Sequence, residues 1–208
     1  MLNKVTIIDY DICNVQSVAN MLRKVGADSQ IASNPSDVVS ATKLIIPGIG
    51  SFDKGINNLG KKGLLSVLNK KVVEERIPVL GICLGMQLFS NMSEEGNLHG
   101  LGWIEGEVKR FDVFSMNEKL KIPHMGWNYI HQVKDHFLFK DVPQPMRFYF
   151  VHSYHYLCSS QENVLATARY GYEFTCAIVK DNIMGVQFHP EKSHKHGMQL
   201  LRNFVEYA

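Results

Sequence analysis

Apolar and polar positions divide the chain into two halves with different rhythms. Residues 5–9 form an apolar run that ends in an acid. Val15, Val18, Ala19, Leu22 and Val25 then recur at helical spacing, and Gly26 closes that helix. Residues 29–32 are a short strand candidate, and Pro35 stands where a helix through Ala41 begins. Residues 43–46 make a buried strand, broken by Pro47-Gly48-Ile49-Gly50. A helical stretch follows to about Arg76. Residues 77–82 form a strand that runs straight into Cys83, and residues 84–91 read as a helix. This βαβα order implies a parallel sheet with helices on both faces.

The second half is rich in strands: residues 105–111, 129–133, 146–151, 164–170, 175–179 and 183–188. Asp181-Asn182 between the last two is a tight-turn signal. A closing helix spans residues 195–207, apolar at Met198, Leu201 and Val205. The expected fold is therefore α/β, a mostly parallel, flavodoxin-like central sheet flanked by helices. The β-rich stretch should extend one edge of that sheet. With 208 residues the chain can bury one full core, so residues 1–208 are expected to form a single domain.

Charge and cysteine usage narrow the partners. A formal net charge of +2 gives no footprint for nucleic acid. No apolar stretch is long enough to span a membrane, and the N-terminus turns polar too quickly for a signal peptide. The four cysteines, Cys13, Cys83, Cys158 and Cys176, include no C-x-x-C pair. The expectation is a cytoplasmic protein with reduced thiols. His194 and His196 lack an evident third ligand, so no metal site is expected. No glycine segment has dinucleotide-binding or P-loop spacing, so no cofactor is expected.

Gly81-Ile82-Cys83-Leu84-Gly85 is G-x-C-x-G at a strand-to-helix junction, the cysteine form of a nucleophile elbow. The sharp turn needs small flanking residues and lifts the sulfur above the C-terminal edge of the sheet, where open α/β sheets place their sites. Taken alone, such a cysteine could equally be structural. Gln187-Phe188-His189-Pro190-Glu191 follows the last strand, and His189 and Glu191, two apart, can project the same way. A carboxylate that orients an imidazole beside a thiol is triad chemistry. Pro47-Gly48-Ile49-Gly50 can bring backbone N–H groups to a substrate oxygen, with the N–H of Leu84 as the other oxyanion-hole donor.

These segments together resemble the class I (triad) glutamine amidotransferases over nearly the whole chain. Pro47 to Phe52 and Pro123-His124-Met125-Gly126-Trp127-Asn128 narrow the resemblance to glutaminase subunits of imidazole glycerol phosphate synthase. The resemblance implies that Cys83 attacks the glutamine carboxamide, His189 transfers the proton and Glu191 holds the imidazole. It implies that Gly50 and Leu84 form the oxyanion hole. It places Gln87, Glu95, Ser153 and Tyr154 at the amino-acid end of glutamine. It also implies a cyclase-type (β/α)8 barrel partner that receives the ammonia, with Trp127 and Asn128 at the interface, Trp127 being an aromatic in a glycine-flanked loop. Where that family has glycines in its first turn, this chain has Asp11 and Cys13 within Asp9-Tyr10-Asp11-Ile12-Cys13-Asn14. That departure, with two histidines in residues 192–198, leaves a second acceptor open: a paralogue supplying ammonia to a surface-polysaccharide sugar amidotransferase. A stand-alone cysteine hydrolase and a non-catalytic partner-binding module are the readings from other classes.

Overall fold

The structure, a computed structural model, describes residues 4–112 and 120–208. The first half alternates as expected: β1 (Lys4–Ile8), α1 (Val15–Lys24), β2 (Asp28–Ala32), α2 (Pro35–Val38), β3 (Leu44–Gly48), α3 (Phe52–Lys61), α4 (Leu64–Asn69), β4 (Val79–Cys83) and α5 (Leu84–Gln87). The second half supplies β5 (Met92–Ser93), β6 (Gly106–Arg110), β7 (His124–Gln132), β8 (Arg147–His152), β9 (Tyr154–Cys158), β10 (Val164–Tyr170), β11 (Tyr172–Lys180), β12 (Ile183–Val186) and α6 (His194–Tyr207).

One continuous sheet carries both halves, in the order β2-β1-β3-β4-β12-β11-β10-β7-β8, with β9, β6 and β5 branching from β11. Pairing is parallel from β2 as far as β12. From β11 outward it turns antiparallel. The β-rich half thus extends one edge of the sheet, as its sequence suggested. Every residue of β3, β4 and β12 is buried, as parallel strands covered on both faces require. Alternate residues feed two cores. Val5 and Ile7 pack with Val18 and Leu22 of α1 and Leu200 and Phe204 of α6. Ile8, Leu44 and Ile46 pack with Leu59, Leu64 and Leu68 on the other face.

Four local expectations need correcting. The long helix before Arg76 breaks at Gly63, whose φ of +67° caps α4, and then closes in a π-helical turn, Lys70–Glu74. The helix after Cys83 stops at Gln87, and the three carbonyls that follow it are taken by a later loop: Leu88 O accepts from Leu101 N–H at 2.8 Å, Phe89 O from Ile104 N–H and Ser90 O from Gly102 N–H. Strand β7 begins at His124, five residues early, so Trp127 lies on a strand and not in a loop. β9 was not anticipated; its partners β6 and β11 are distant in sequence. In the first turn Asp11 adopts the left-handed φ of +68° that glycine usually takes, tolerable for Asp. Its carboxylate pairs with Lys62 at 2.9 Å.

Candidate active site

The elbow is fixed by how closely the backbones approach. Cys83 ends β4 at φ +54°, ψ −112°, and α5 starts at the next residue. A Cβ on Gly85 would lie 1.7 Å from Ile46 O, and one on Gly81 would lie 2.7 Å from Met86 N. Both glycines are therefore demanded by packing, and the strained cysteine is over-determined by its surroundings. Leu84 N–H is the first of its helix and has no acceptor within it.

His189 reaches the same place from the neighbouring strand. β12 pairs parallel with β4, Gly185 opposite Gly81 and Val186 opposite Ile82. The chain beyond β12 is held by His189 N–H to Tyr149 O at 2.9 Å, and by Ser193 Oγ, which donates to His189 O at 2.6 Å and accepts from Tyr149 N–H at 3.0 Å. His189 Nδ1 lies 2.7 Å from Glu191 Oε1, with the two side chains 2% and 5% exposed. A carboxylate only accepts, so the proton sits on Nδ1 and Nε2 is left for chemistry. Burial opposes a charge on this ring. The charge and hydrogen bonding of Cys83, then those of Glu191, outweigh it and raise the His189 pKa to about 10.

A cavity of about 560 Å³ opens on this corner. Seven residues placed here from sequence, Cys83, Leu84, Gly50, Gln87, Glu95, Ser153 and Tyr154, all line it. Gly50 has φ +106°, a conformation that suits glycine. The adjacent Ile49 N–H is taken by Ile12 O at 2.8 Å. Glu95 accepts from Phe52 N–H at 2.8 Å, and burial raises its pKa. Its neighbour Glu94 instead accepts from Arg110 N–H and pairs with Lys109, which settles a choice the sequence left open. Gln87 Nε2 donates to Tyr154 O at 3.2 Å and Gln187 Oε1 at 3.0 Å. Gln187 in turn donates to the Cys83 sulfur at 3.7 Å. Sequence reasoning gave no role to His152 or Lys192, which also line it. Only their place beside Ser153 and Glu191 could have hinted at them.

Trp127 and Asn128 lie outside this cavity, on opposite faces of β7, as strand alternation dictates. Trp127 projects outward in a row with Met125 and Tyr129, each more than a third exposed. Its ring stacks on His194 at 5.6 Å, with Arg147 4.9 Å over it. Asn128 turns inward, its Nδ2 donating to Arg169 O at 2.8 Å. Among the described residues no cluster of metal-ligating side chains occurs, and no helix is long and apolar enough to cross a membrane.

A thiol in a strained elbow, a buried imidazole–carboxylate pair and a closed-in cavity on an α/β sheet define an amide hydrolase of the cysteine type. The chain belongs to the glutamine amidotransferase class-I family, whose model matches residues 6–208. It is 52% identical to the imidazole glycerol phosphate synthase subunit HisH 2 of Methanococcus maripaludis, over 98% of this chain and 100% of that protein. It is 45% identical to the like-named subunit of Pseudomonas aeruginosa, over 97% and 98% of the two chains. PurLQS from Thermotoga maritima shares the fold, with a TM-score of 0.75 at 15% identity, covering 100% of this chain and 99% of that one.

Proposed function

We propose that this chain is the glutaminase subunit of an imidazole glycerol phosphate synthase, acting in the cytoplasm as one domain. The observation that carries the chemistry is the buried His189–Glu191 pair beside Cys83. The full-length likeness to the two subunits supports the pathway. Nε2 of His189 takes the proton of the Cys83 thiol, and the sulfur attacks the glutamine carboxamide carbon. The carbonyl oxygen takes the charge, stabilised by backbone N–H groups at Leu84 and Gly50. His189 gives a proton from Nε2 to the departing nitrogen, which leaves as ammonia, and a thioester remains. Water, deprotonated by the same nitrogen of His189, then attacks the thioester, releasing glutamate and restoring the thiol. Glu191 stays ionised throughout and steadies the imidazolium. Glu95, Gln87 and the Ser153–Tyr154 backbone hold the amino-acid end.

Ammonia passes to a cyclase-type (β/α)8 barrel partner. The row Met125, Trp127 and Tyr129 supports a docking face there, since exposed aromatic anchors are rare on a surface with no partner. A second reading keeps the chemistry and changes the acceptor to a surface sugar. The first turn favours it, because Asp11, ion-paired to Lys62, stands where the family resemblance implies glycine.

The test is glutamate release by the purified chain, alone and with a cyclase-type subunit and its phosphoribosyl substrate. Strong stimulation with formation of imidazole glycerol phosphate supports the first reading. Glutamate release that this substrate leaves unchanged favours the second. Loss of hydrolysis in Cys83→Ala is expected in either case, and its survival would remove the proposed nucleophile. Trp127→Ala should weaken the complex and spare hydrolysis by the free chain.

A further inference from the structure

Three histidines are buried beside the glutamine cavity, and the mechanism uses none of them. His124 and His152 are 3% and 6% exposed and touch each other, Nδ1 of His124 lying 2.9 Å from Nε2 of His152. His152 Nδ1 lies 2.7 Å from Tyr154 O, and His124 Nε2 lies 3.3 Å from Asn128 Nδ2. The third, His155, faces the Tyr172 hydroxyl and stands apart from this chain.

The proton positions follow from the acceptors. Tyr154 O can only accept, so His152 must carry its proton on Nδ1. Its Nε2 is then a lone pair, which obliges His124 to donate from Nδ1. That leaves His124 Nε2 bare, to accept from Asn128. Asn128 is oriented independently: Tyr129 N–H requires its oxygen at 2.8 Å, and Arg169 O requires its nitrogen. Every bond thus runs one way, from Asn128 through His124 and His152 to the Tyr154 carbonyl. That carbonyl also accepts from Gln87, which reaches the Cys83 sulfur through Gln187. Burial holds both imidazoles neutral, His124 with its pKa lowered to about 4 and His152 well below its usual value.

What this chain holds is a bend. β8 ends at His152 and β9 begins at Tyr154, so Ser153 alone turns the backbone from one part of the sheet to another. The bond from His152 to Tyr154 O spans that bend, and the bend is a wall of the cavity. We infer that His124, His152 and Asn128 are positioning residues for glutamine: a one-way hydrogen-bond chain that sets the Ser153–Tyr154 wall. Asn128 then serves the pocket from within and is not a partner contact. The inference rests on the reading that the cavity binds glutamine.

The experiment compares His124→Phe with His124→Asn and adds Asn128→Ala. Phenylalanine keeps the stacks that His124 makes on Tyr170 at 4.1 Å and Phe150 at 4.9 Å, but cannot donate. Asparagine places an N–H where Nδ1 was and gives up the stacks. For the purified chain without partner, the Michaelis constant for L-glutamine should rise about tenfold in His124→Phe and Asn128→Ala. That is the factor expected when a buried group loses its partner. Turnover and the iodoacetamide labelling rate of Cys83 should stay within about twofold of wild type, and His124→Asn should bind glutamine nearly as well as wild type. If phenylalanine is tolerated and asparagine is not, the role is packing and the inference fails. An unchanged constant in Asn128→Ala also overturns it, and that half-buried position keeps the test open should His124→Phe fail to fold. A wild-type chain that hydrolyses no glutamine, alone or with the cyclase-type subunit and its phosphoribosyl substrate, would overturn the reading of the site and the inference with it.

Discussion

Glu191→Gln isolates the charge behind His189. The substitution keeps the length of the side chain and leaves an acceptor oxygen for Nδ1–H. It removes a negative charge 2.7 Å from the ring in a site that is almost wholly buried. Two unit charges at that distance attract by ~6 kcal/mol at an effective dielectric of about 20. A neutral hydrogen bond of ~1 kcal/mol survives the change. Enough is lost to cost turnover about 10²- to 10⁴-fold, the range in which positioned acid–base groups act, or ~3–5 kcal/mol. Stability carries the same signature. The folded-state pKa of His189 is raised to about 10 from an ordinary 6.5, so its contribution is complete below about pH 6.5. It drains away as pH climbs toward and through 10. In the variant less is there to lose. Urea midpoints measured across that window should therefore fall more steeply for wild type than for Glu191→Gln. Turnover within twofold of wild type, with parallel stability profiles, would refute the assigned role of the carboxylate.

Other perturbations test the frame around the site. Gly85→Ala drives a Cβ to 1.7 Å from the Ile46 carbonyl oxygen, which is backbone and cannot step aside. We expect a loss of ~3 kcal/mol or more in urea unfolding, and a wild-type midpoint would refute the packing argument. Lys43, buried beneath the end of α6, donates to the carbonyls of Phe204 and Val205. Lys43→Met should cost ~1–3 kcal/mol through the unpaired carbonyls, and thermal melts showing no change would count against that cap. Burial pushes the thiols of Cys13 and Cys158 up to about 11 and about 12, and that of Cys176 up as well. Brief iodoacetamide treatment near neutral pH should thus mark Cys83 first, and peptide mapping that finds Cys13 modified equally fast would contradict it.

The parts of the fold legible in sequence are those with a local cause. Alternating runs and glycine turns place β1, β3, β4 and the elbow, because strand burial and tight turns leave marks on neighbouring residues. The seven cavity residues named from sequence do meet, drawn together by a resemblance that spans the chain. What escaped was set by distant contacts. Strand β7 reads poorly because Gly126 at φ +130° interrupts its apolar pattern, yet β8 pairs with it from His124 onward. Asn128 stands next to Trp127 in sequence and faces the other way in space. His124 and His152 lie twenty-eight residues apart and acquire meaning only when that pairing brings them opposite each other. Glu94 and Glu95 are alike in composition, and only the fold distinguishes the one that faces the cavity.

The pairing of β4 with β12 has a consequence for how such a protein can diversify. Gly81 opposite Gly185 and Ile82 opposite Val186 index the nucleophile against the histidine as teeth index a rack. A residue inserted into either strand would turn its side chains to the wrong face and separate the pair. The outer strands β7 and β8 sit at the far end of the sheet, with β11 and β10 standing between them and β12. A lineage can rewrite the outward row Met125, Trp127 and Tyr129, the docking face proposed above, but Tyr149, which holds His189, and the inward-facing His124 and His152 on the same two strands must stay.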